Sequence, residues 1–372
     1  MQNQLFYQIA LTMITGVGNV LGRQLLQAVG DAEAVFREKT QVLEKIPGIG
    51  QGLIAEIKHP KVLEQAEKEL AFIEKSKITT YFISSKDYPS RLRECQDAPL
   101  LVYFKGQCDL NTLRIVSVVG TRKITEYGKD VCEGLIAGLA ENLPGLLVVS
   151  GLAYGADITA HRSALKYQLP TLAVLAHGMD RIYPPIHRTT AIEMLENGGL
   201  LTEFSSGNRP EKPNFVRRNR IIAGLSDATI VIESADRGGS LITANIASSY
   251  SRDVFAIPGR INDTCSQGCN RLIRDNKAGL VSCAADVISA MLWDVPVTSK
   301  DHVPVVQTES FFAGSEENEQ ILAILREKKE IDINQLSIEM DMPVHKLSGL
   351  LFELELAGPI KKAPGNVYKM VQ

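Results

Sequence analysis

The chain has no surplus of positive charge. Forty Lys and Arg stand against 43 Asp and Glu, a net charge of −3. Binding of nucleic acid through the whole surface is thereby excluded, and only a focused patch could serve. No apolar run comes near the roughly 18 residues of a membrane span, so no membrane partner is expected. The first residues, Met1-Gln-Asn-Gln, lack the positive segment and cleavage site of a secretory signal; a cytoplasmic location is the expectation. The six cysteines follow no framework pattern, which fits a reduced compartment. Cys265 and Cys269 have no second pair at zinc spacing, so no metal is expected.

Other absences bear on chemistry. There is no Gly-x-Gly-x-x-Gly after the first strand of the α/β region and no Gly-x-x-x-x-Gly-Lys-Ser/Thr anywhere. ATP hydrolysis and ordinary NAD chemistry are therefore not expected, and no cofactor is assigned. A Gly-x-Ser-x-Gly nucleophile elbow is also missing.

What is present is local. Phe215-Val-Arg-Arg-Asn-Arg-Ile-Ile-Ala-Gly224 places Arg217, Arg218 and Arg220 around Asn219, beside an aromatic and just after Lys212. Guanidinium forks suit phosphate oxygens, and an aromatic face suits an unpaired base. The plainer alternative is a helix start whose arginines pair with nearby carboxylates. From the residues alone both stay open.

Three textures succeed one another. Residues 1–80 read as a helical domain, and the helical character continues to about residue 100. Two similar turns, Ile14-Thr-Gly-Val-Gly18 and Ile46-Pro-Gly-Ile-Gly50, have the form of helix-hairpin-helix units, whose backbone N–H groups can face a DNA phosphate. With only Arg23 and Lys58 nearby, ordinary tight connections are the preferred reading. Residues 81–293 form the second domain, with a lead-in segment. Short β-branched runs at 115–119, 146–149, 171–175, 200–203, 229–232 and 254–257 alternate there with helical segments such as 129–140 and 241–250. That alternation means a doubly wound, Rossmann-like parallel sheet covered on both faces. A linker is expected at 294–314. Residues 315–372 then read as three helices and a hairpin turning at Pro364-Gly365-Asn366, a winged helix.

Open parallel sheets bind ligands at the carboxyl ends of their strands. Here those ends are Val119-Gly-Thr-Arg122, Ser150-Gly-Leu-Ala-Tyr-Gly-Ala-Asp157 with Ala160-His161, and His177-Gly-Met-Asp180 with Tyr183-Pro184; Gly238-Gly-Ser-Leu-Ile-Thr243 leads into a later helix. Such loops let backbone N–H groups approach an anion. Asp157 and His161 could form an acid–base couple, though a helix-capping carboxylate and a packing histidine are preferred. Glu203 is a lone carboxylate at a strand end, a weak candidate base.

Taken in order, these motifs, with Ala256-Ile-Pro-Gly259, Gly268-Cys-Asn-Arg-Leu-Ile273, Tyr88-Pro89 and Asp97-Ala-Pro99, resemble the bacterial DNA-processing protein A family, DprA or Smf. The resemblance implies a non-enzymatic mediator that binds single-stranded DNA, protects it, and loads the RecA recombinase in natural transformation. It also implies a homodimer through the Rossmann-like domain. Arg122, Arg218, Asn219 and Arg220 carry over as DNA-binding residues. Gly120, Thr121, Lys212, Phe215, Arg217, Gly239 and Ser240 complete the expected groove, which would be sequence-tolerant. Three departures from the family pattern stand out: Val216 for a usual proline, Gly238 for serine and Ala156 for isoleucine. By this reading Val216 loosens the start of the basic helix.

Two rivals remain. A nucleotide-cleaving enzyme on the same fold would need a Pro-Gly-Gly-x-Gly-Thr loop with a following glutamate, where this chain has Arg237-Gly-Gly-Ser240. A transcription factor would need more charge on the third helix of the winged unit, which offers only His345 and Lys346 against Glu353 and Glu355. Lys361, Lys362 and Lys369 on the wing could touch a phosphate, but protein contact or independent packing is preferred there.

Overall fold

The computed structural model describes residues 2–294, 316–356, 358–363 and 367–370. All of the expected linker except Asp294 lies outside the described residues, as does the turn at 364–366. The chain divides into two units, Met1–Asp294 and Val295–Gln372.

The first unit opens with six helices: α1 (Gln2–Met13), α2 (Asn19–Val29), α3 (Ala32–Arg37), α4 (Thr40–Leu43), α5 (Gln51–Ile57) and α6 (Pro60–Ser76). The two look-alike turns are closed by the same bond, Val17 N–H to Ile14 O and Ile49 N–H to Ile46 O, both 3.1 Å. Gly16 and Gly48 sit at φ +84° and +85°, a region that favours glycine. The hairpin cations are engaged inside the fold. Arg23 donates to Cys95 O at 3.0 Å, and Lys58 donates to Phe36 O and Glu38 O at 2.7 and 2.6 Å.

Strands β1 (Thr79–Phe82) and β2 (Leu101–Gly106) flank a short helix α7 (Ser90–Arg93). The stretch read as helical up to about residue 100 is thus corrected: it ends in sheet. Leu100 to Phe104 is a continuous apolar run, buried throughout. Leu100, Leu101 and Tyr103 share a core with the six helices, while Val102 and Phe104 face the core of the α/β layer. A strand, with alternate residues on opposite faces, can serve two cores in this way.

Then follow β3 (Ile115–Val119), α8 (Glu126–Asn142), β4 (Leu147–Ser150), α9 (Ala156–Lys166), β5 (Thr171–Val174), α10 (Arg188–Glu193), β6 (Gly198–Thr202), α11 (Lys212–Leu225), β7 (Ala228–Val231), α12 (Gly239–Ser249), β8 (Asp253–Ala256), α13 (Gln267–Arg274), β9 (Gly279–Leu280) and α14 (Ala284–Ala290). The nine-stranded sheet has the order β1-β2-β6-β5-β4-β3-β7-β8-β9. From β6 to β9 every neighbouring pair is parallel; β2 joins β6 and β1 joins β2 antiparallel. Val116, Val118, Ile230 and Ile232 point into a core with α8, α9 and α14, and Ile115, Val119, Val149 and Val231 into one with α11, α12 and α13. Both faces are covered, as the near-continuous apolar strands require. The strand order reverses between β3 and β7, so the ligand crevice of such a sheet falls where the loops after those two strands part.

The second unit contains α15 (Glu316–Lys328), β10 (Glu330–Asp332), α16 (Ile333–Glu339), α17 (Val344–Leu356), β11 (Ile360–Ala363) and β12 (Val367–Met370). Its sheet has the order β10-β12-β11. Ile321, Leu325, Leu336, Leu347, Leu351 and Tyr368 form its core. Strand β10, three residues long, gives too short a signal to be read from periodicity.

Candidate nucleic-acid interface

The loop after β3 is held rigidly by groups around it. Thr121 N–H donates to Glu233 O at 2.7 Å, and Thr121 O accepts from Ala156 N at 3.1 Å. The Glu233 carboxylate, on a residue 1 % exposed, accepts from Thr125 N at 2.9 Å and Thr125 Oγ1 at 2.5 Å. Thr125 in turn caps α8 by accepting from Gly128 N. Gly155 lies at φ +76°, and a Cβ there would overlap Thr121 O and the Arg122 backbone. Only glycine lets the start of α9 come this close. The Gly120–Arg122 segment is therefore clamped between Glu233 and Gly155. Neither clamp was identified in the sequence; an isolated glutamate after an apolar strand is not a signal on its own.

Arg122 is exposed, and its guanidinium carbon lies 5.3 Å from the centre of the Phe215 ring. Phe215 is half-buried and packs on Tyr183 at 5.9 Å between ring centres, tilted by 60°. Tyr183 is 41 % exposed, and Tyr154, on the loop after β4, is 48 % exposed with its ring edge against His187. An arginine and three aromatics thus form a rim at the carboxyl edge of the sheet. Arg122 and Phe215 are expected at this place from the sequence, whereas Tyr183 enters there only as part of a Tyr-Pro pair and Tyr154 only as a loop residue.

The basic motif lies on α11, whose first turn is fixed by Pro213. The expectation that Val216 loosens the helix start is corrected: the start lies upstream, at Lys212. Of the three arginines, Arg217 is exposed; it pairs with Glu203 at 2.9 Å and lies over the Phe204 ring at 5.3 Å. Arg218 is 3 % exposed. It donates to Gly151 O at 2.7 Å and to Val174 O, tying together the ends of β4 and β5. A Cβ on Gly151 would overlap both its guanidinium and the Asp157 carboxylate. Arg220 is 7 % exposed and donates to Glu203 Oε2 and Asp97 O, each at 2.5 Å. The alternative of arginines paired with nearby carboxylates describes Arg217 and Arg220. Asn219 is half-buried and accepts from Arg218 Nε at 3.2 Å. Lys212 and Gly239 are exposed, whereas Ser240 turns inward and donates to Ser234 Oγ at 2.9 Å.

Burial dominates the electrostatics beneath the rim. It pulls the Arg218 pKa down to about 10, against the pull of the Asp157 carboxylate. It also pushes the Asp157 carboxyl up, opposed by Arg218. Arg218 is still a cation at neutral pH. Burial holds His161 down to about 3, with Arg218 adding to the effect. Thr171 gives its hydroxyl proton to Val148 O, so His161 Nδ1–H donates to Thr171 Oγ1 at 2.7 Å. Asp157 accepts instead from Ala153 N at 3.3 Å, steadying its own loop. Asp157 and His161 are spent on packing and loop shape, and Glu203 is engaged by two arginines. Cys269 is buried and Cys265 half-buried, both as free thiols. Among the described residues, no three His, Cys, Asp or Glu side chains converge as a metal site would require, and no helix is long and apolar enough to cross a membrane.

Comparison with known proteins gives a consistent picture. The family profile of DNA recombination-mediator protein A matches residues 79–292, and that of the DprA winged helix domain matches 309–366. Protein Smf of Synechocystis sp. is 29 % identical over 98 % of both chains. The structure of DNA processing protein A from Streptococcus pneumoniae covers 76 % of this chain and 97 % of its own, at 35 % identity and a TM-score of 0.61. DNA processing protein A from Helicobacter pylori, solved for its single-stranded DNA binding mode, covers 59 % of this chain and 97 % of its own, at 30 % identity and a TM-score of 0.53.

Proposed function

The chain belongs to the DNA recombination-mediator protein A family, and from that premise we propose that it binds single-stranded DNA on the Arg122 rim and hands it to the RecA recombinase. The observation that carries this reading is Arg122, on the loop after β3 that borders the reversal of strand order, stacked on Phe215 beside Tyr183. The guanidinium supplies a fork for phosphate and the rings supply faces for unpaired bases. Paired bases have no free face, so a single strand is preferred over duplex, and stacking makes the site sequence-tolerant. Lys212, Asn219, the Thr121 hydroxyl and the N–H groups of Gly120 and Gly239 add contacts. Arg218 and Arg220 shape the floor from below, and Arg217 lies at its edge. Natural transformation is the setting, the cytoplasm the location, and a homodimer through the Rossmann-like domain the working form. Handover of DNA is the whole activity, with no catalytic turnover. The winged helix, with Phe352 64 % exposed and Val344 39 % exposed on α17, is suited to protein contact rather than duplex reading.

The test is a titration with oligothymidylate, matching duplex and free nucleotides at two salt concentrations. Tight, salt-dependent binding of the single strand alone is expected, with sedimentation reporting a dimer. Equal affinity for duplex, or turnover of a nucleotide, would sink the reading.

A further inference from the structure

We propose that single-stranded DNA leaving the Arg122 rim continues into a second groove, along the outer face between α8 and α9. The inference rests on the single-strand reading above and extends its path. The groove has a volume of about 520 Å³, and Arg122 and Tyr154 line it, so it begins where the rim ends. Lys123, Lys129, Arg162 and Lys166 line the rest, and Glu133 is the one acid in its lining. Five cations against Glu133 in the lining and Glu126 beside it, on a chain of net charge −3, make a focused positive field of the kind that steers a polyanion.

The cations come from two helices and a loop. Arg162 and Lys166 are one turn apart on α9 and share a face; Lys129 and Glu133 do the same on α8. Lys166 pairs with Glu133, and Lys129 with Glu126 at 2.6 Å. Both pairs are exposed, and exposed pairs of this kind are weak enough for a phosphate to replace. Arg122, Lys123 and Arg162 have no carboxylate partner among the described residues, Arg162 being held only by a 3.4 Å bond to Thr190 Oγ1. Every lining cation is exposed. A compact anion would call for at least one buried cation aimed inward; an open row of exposed ones suits a flexible chain of phosphates. The exposed Tyr154 ring at the junction gives a base a face to stack on before the backbone passes to Lys123 and Arg162.

The test compares two oligothymidylates, of about six and about 25 nucleotides, chosen to fit one site and to overrun it. The variant is Lys123→Ala/Arg162→Ala/Lys166→Ala, checked for an unchanged melting temperature. Binding of the long strand should weaken about tenfold or more, and its salt slope should fall by about 2, since each single-strand phosphate contact contributes about 0.7. Binding of the short strand should stay within about twofold of the parent. A second variant works in the opposite direction and removes no cation: Glu133→Gln should tighten the long strand about twofold to threefold. Unchanged long-strand binding in both variants overturns the proposal. An equal loss on both lengths also overturns it, because the groove would then belong to the rim. If the parent protein binds neither strand, the single-strand reading itself fails, an outcome distinct from the other two.

Discussion

Two groups of arginine meet at this sheet edge and are used in opposite ways. Arg122 is the one arginine of its loop, without a carboxylate partner among the described residues, and exposed over an aromatic ring. The α11 motif has three arginines, two of them nearly inaccessible and two paired with Glu203. The denser cluster in sequence therefore contributes less free charge than the single residue. The reason is position. Helix α11 packs against the sheet, so its inward face must bury whatever it carries, and a buried guanidinium persists only with acceptors around it. The loop after β3 lies beyond the sheet edge, where a long side chain stays in water. The arginine-rich helix is the floor of the crevice, and the glycine loop is the rim.

The strongest way to break this comparison is to remove the floor. Arg218→Ala would leave Gly151 O and Val174 O without their donor and Asp157 buried without its main compensating cation. The expected loss is about 3–5 kcal/mol of folding stability, the usual size for one partner removed from a buried charged set. Urea unfolding measures it. A loss below about 1 kcal/mol would make Arg218 a passive filler, and the division into floor and rim would fall.

Next comes the rim. Arg122→Ala should leave stability within about 0.5 kcal/mol, as for exposed sites generally. Single-strand affinity should weaken by about tenfold to a hundredfold, corresponding to a charge-assisted contact of about 1.5–3 kcal/mol. Fluorescence anisotropy with oligothymidylate and a thermal melt on the same sample separate the two effects. A variant that loses stability and keeps its affinity would place Arg122 in the floor.

The fold was more legible in the sequence than the site was. Six parallel strands were read correctly because each is a short apolar run between glycine turns, which is what burial on both faces demands. Strands β1 and β2 were missed because they pair antiparallel at an edge and share a core with the preceding helices, so their runs read as a continuation of the helical region. The place of Arg122 at the sheet edge was legible because a glycine turn after a parallel strand lies at its carboxyl end, while the use of the arginines and of Phe215 stayed open from the residues alone. The burial of Arg218 and Arg220 was not legible. It depends on Gly151 and Val174, and on Asp97 and Glu203, which are brought near only by sheet order. The Glu233 clamp was hidden for the same reason.

A pH titration sharpens the contrast further. His161 is neutral when folded, with a pKa near 3, and its ordinary value is 6.5. The unfolded chain therefore binds the extra proton between those values, and stability falls as pH drops below 6.5. By pH 5 the loss is about 2 kcal/mol, from about 1.4 kcal/mol per unit. His161→Gln, which keeps a donor for Thr171, should flatten that slope. An unchanged slope in the variant would move the acid sensitivity to another group.

The smallest effect is expected at Arg217, which belongs to both regions: its helix is the floor, yet its side chain is 53 % exposed. Glu203 is shared with Arg220, so Arg217→Ala leaves that carboxylate paired, and stability should change by less than about 0.5 kcal/mol. Its charge is partly neutralised before DNA arrives, so a phosphate must compete with Glu203 for it. Affinity should therefore fall only about threefold, less than at Arg122, with a salt slope lower by about 0.7. Measured beside Arg122→Ala under the same salt series, this variant decides how far the rim extends. If Arg217→Ala costs as much as Arg122→Ala, the Glu203 pair must open when DNA binds. The basic helix would then contribute a free cation only in the complex, and the line between floor and rim would shift one residue inward.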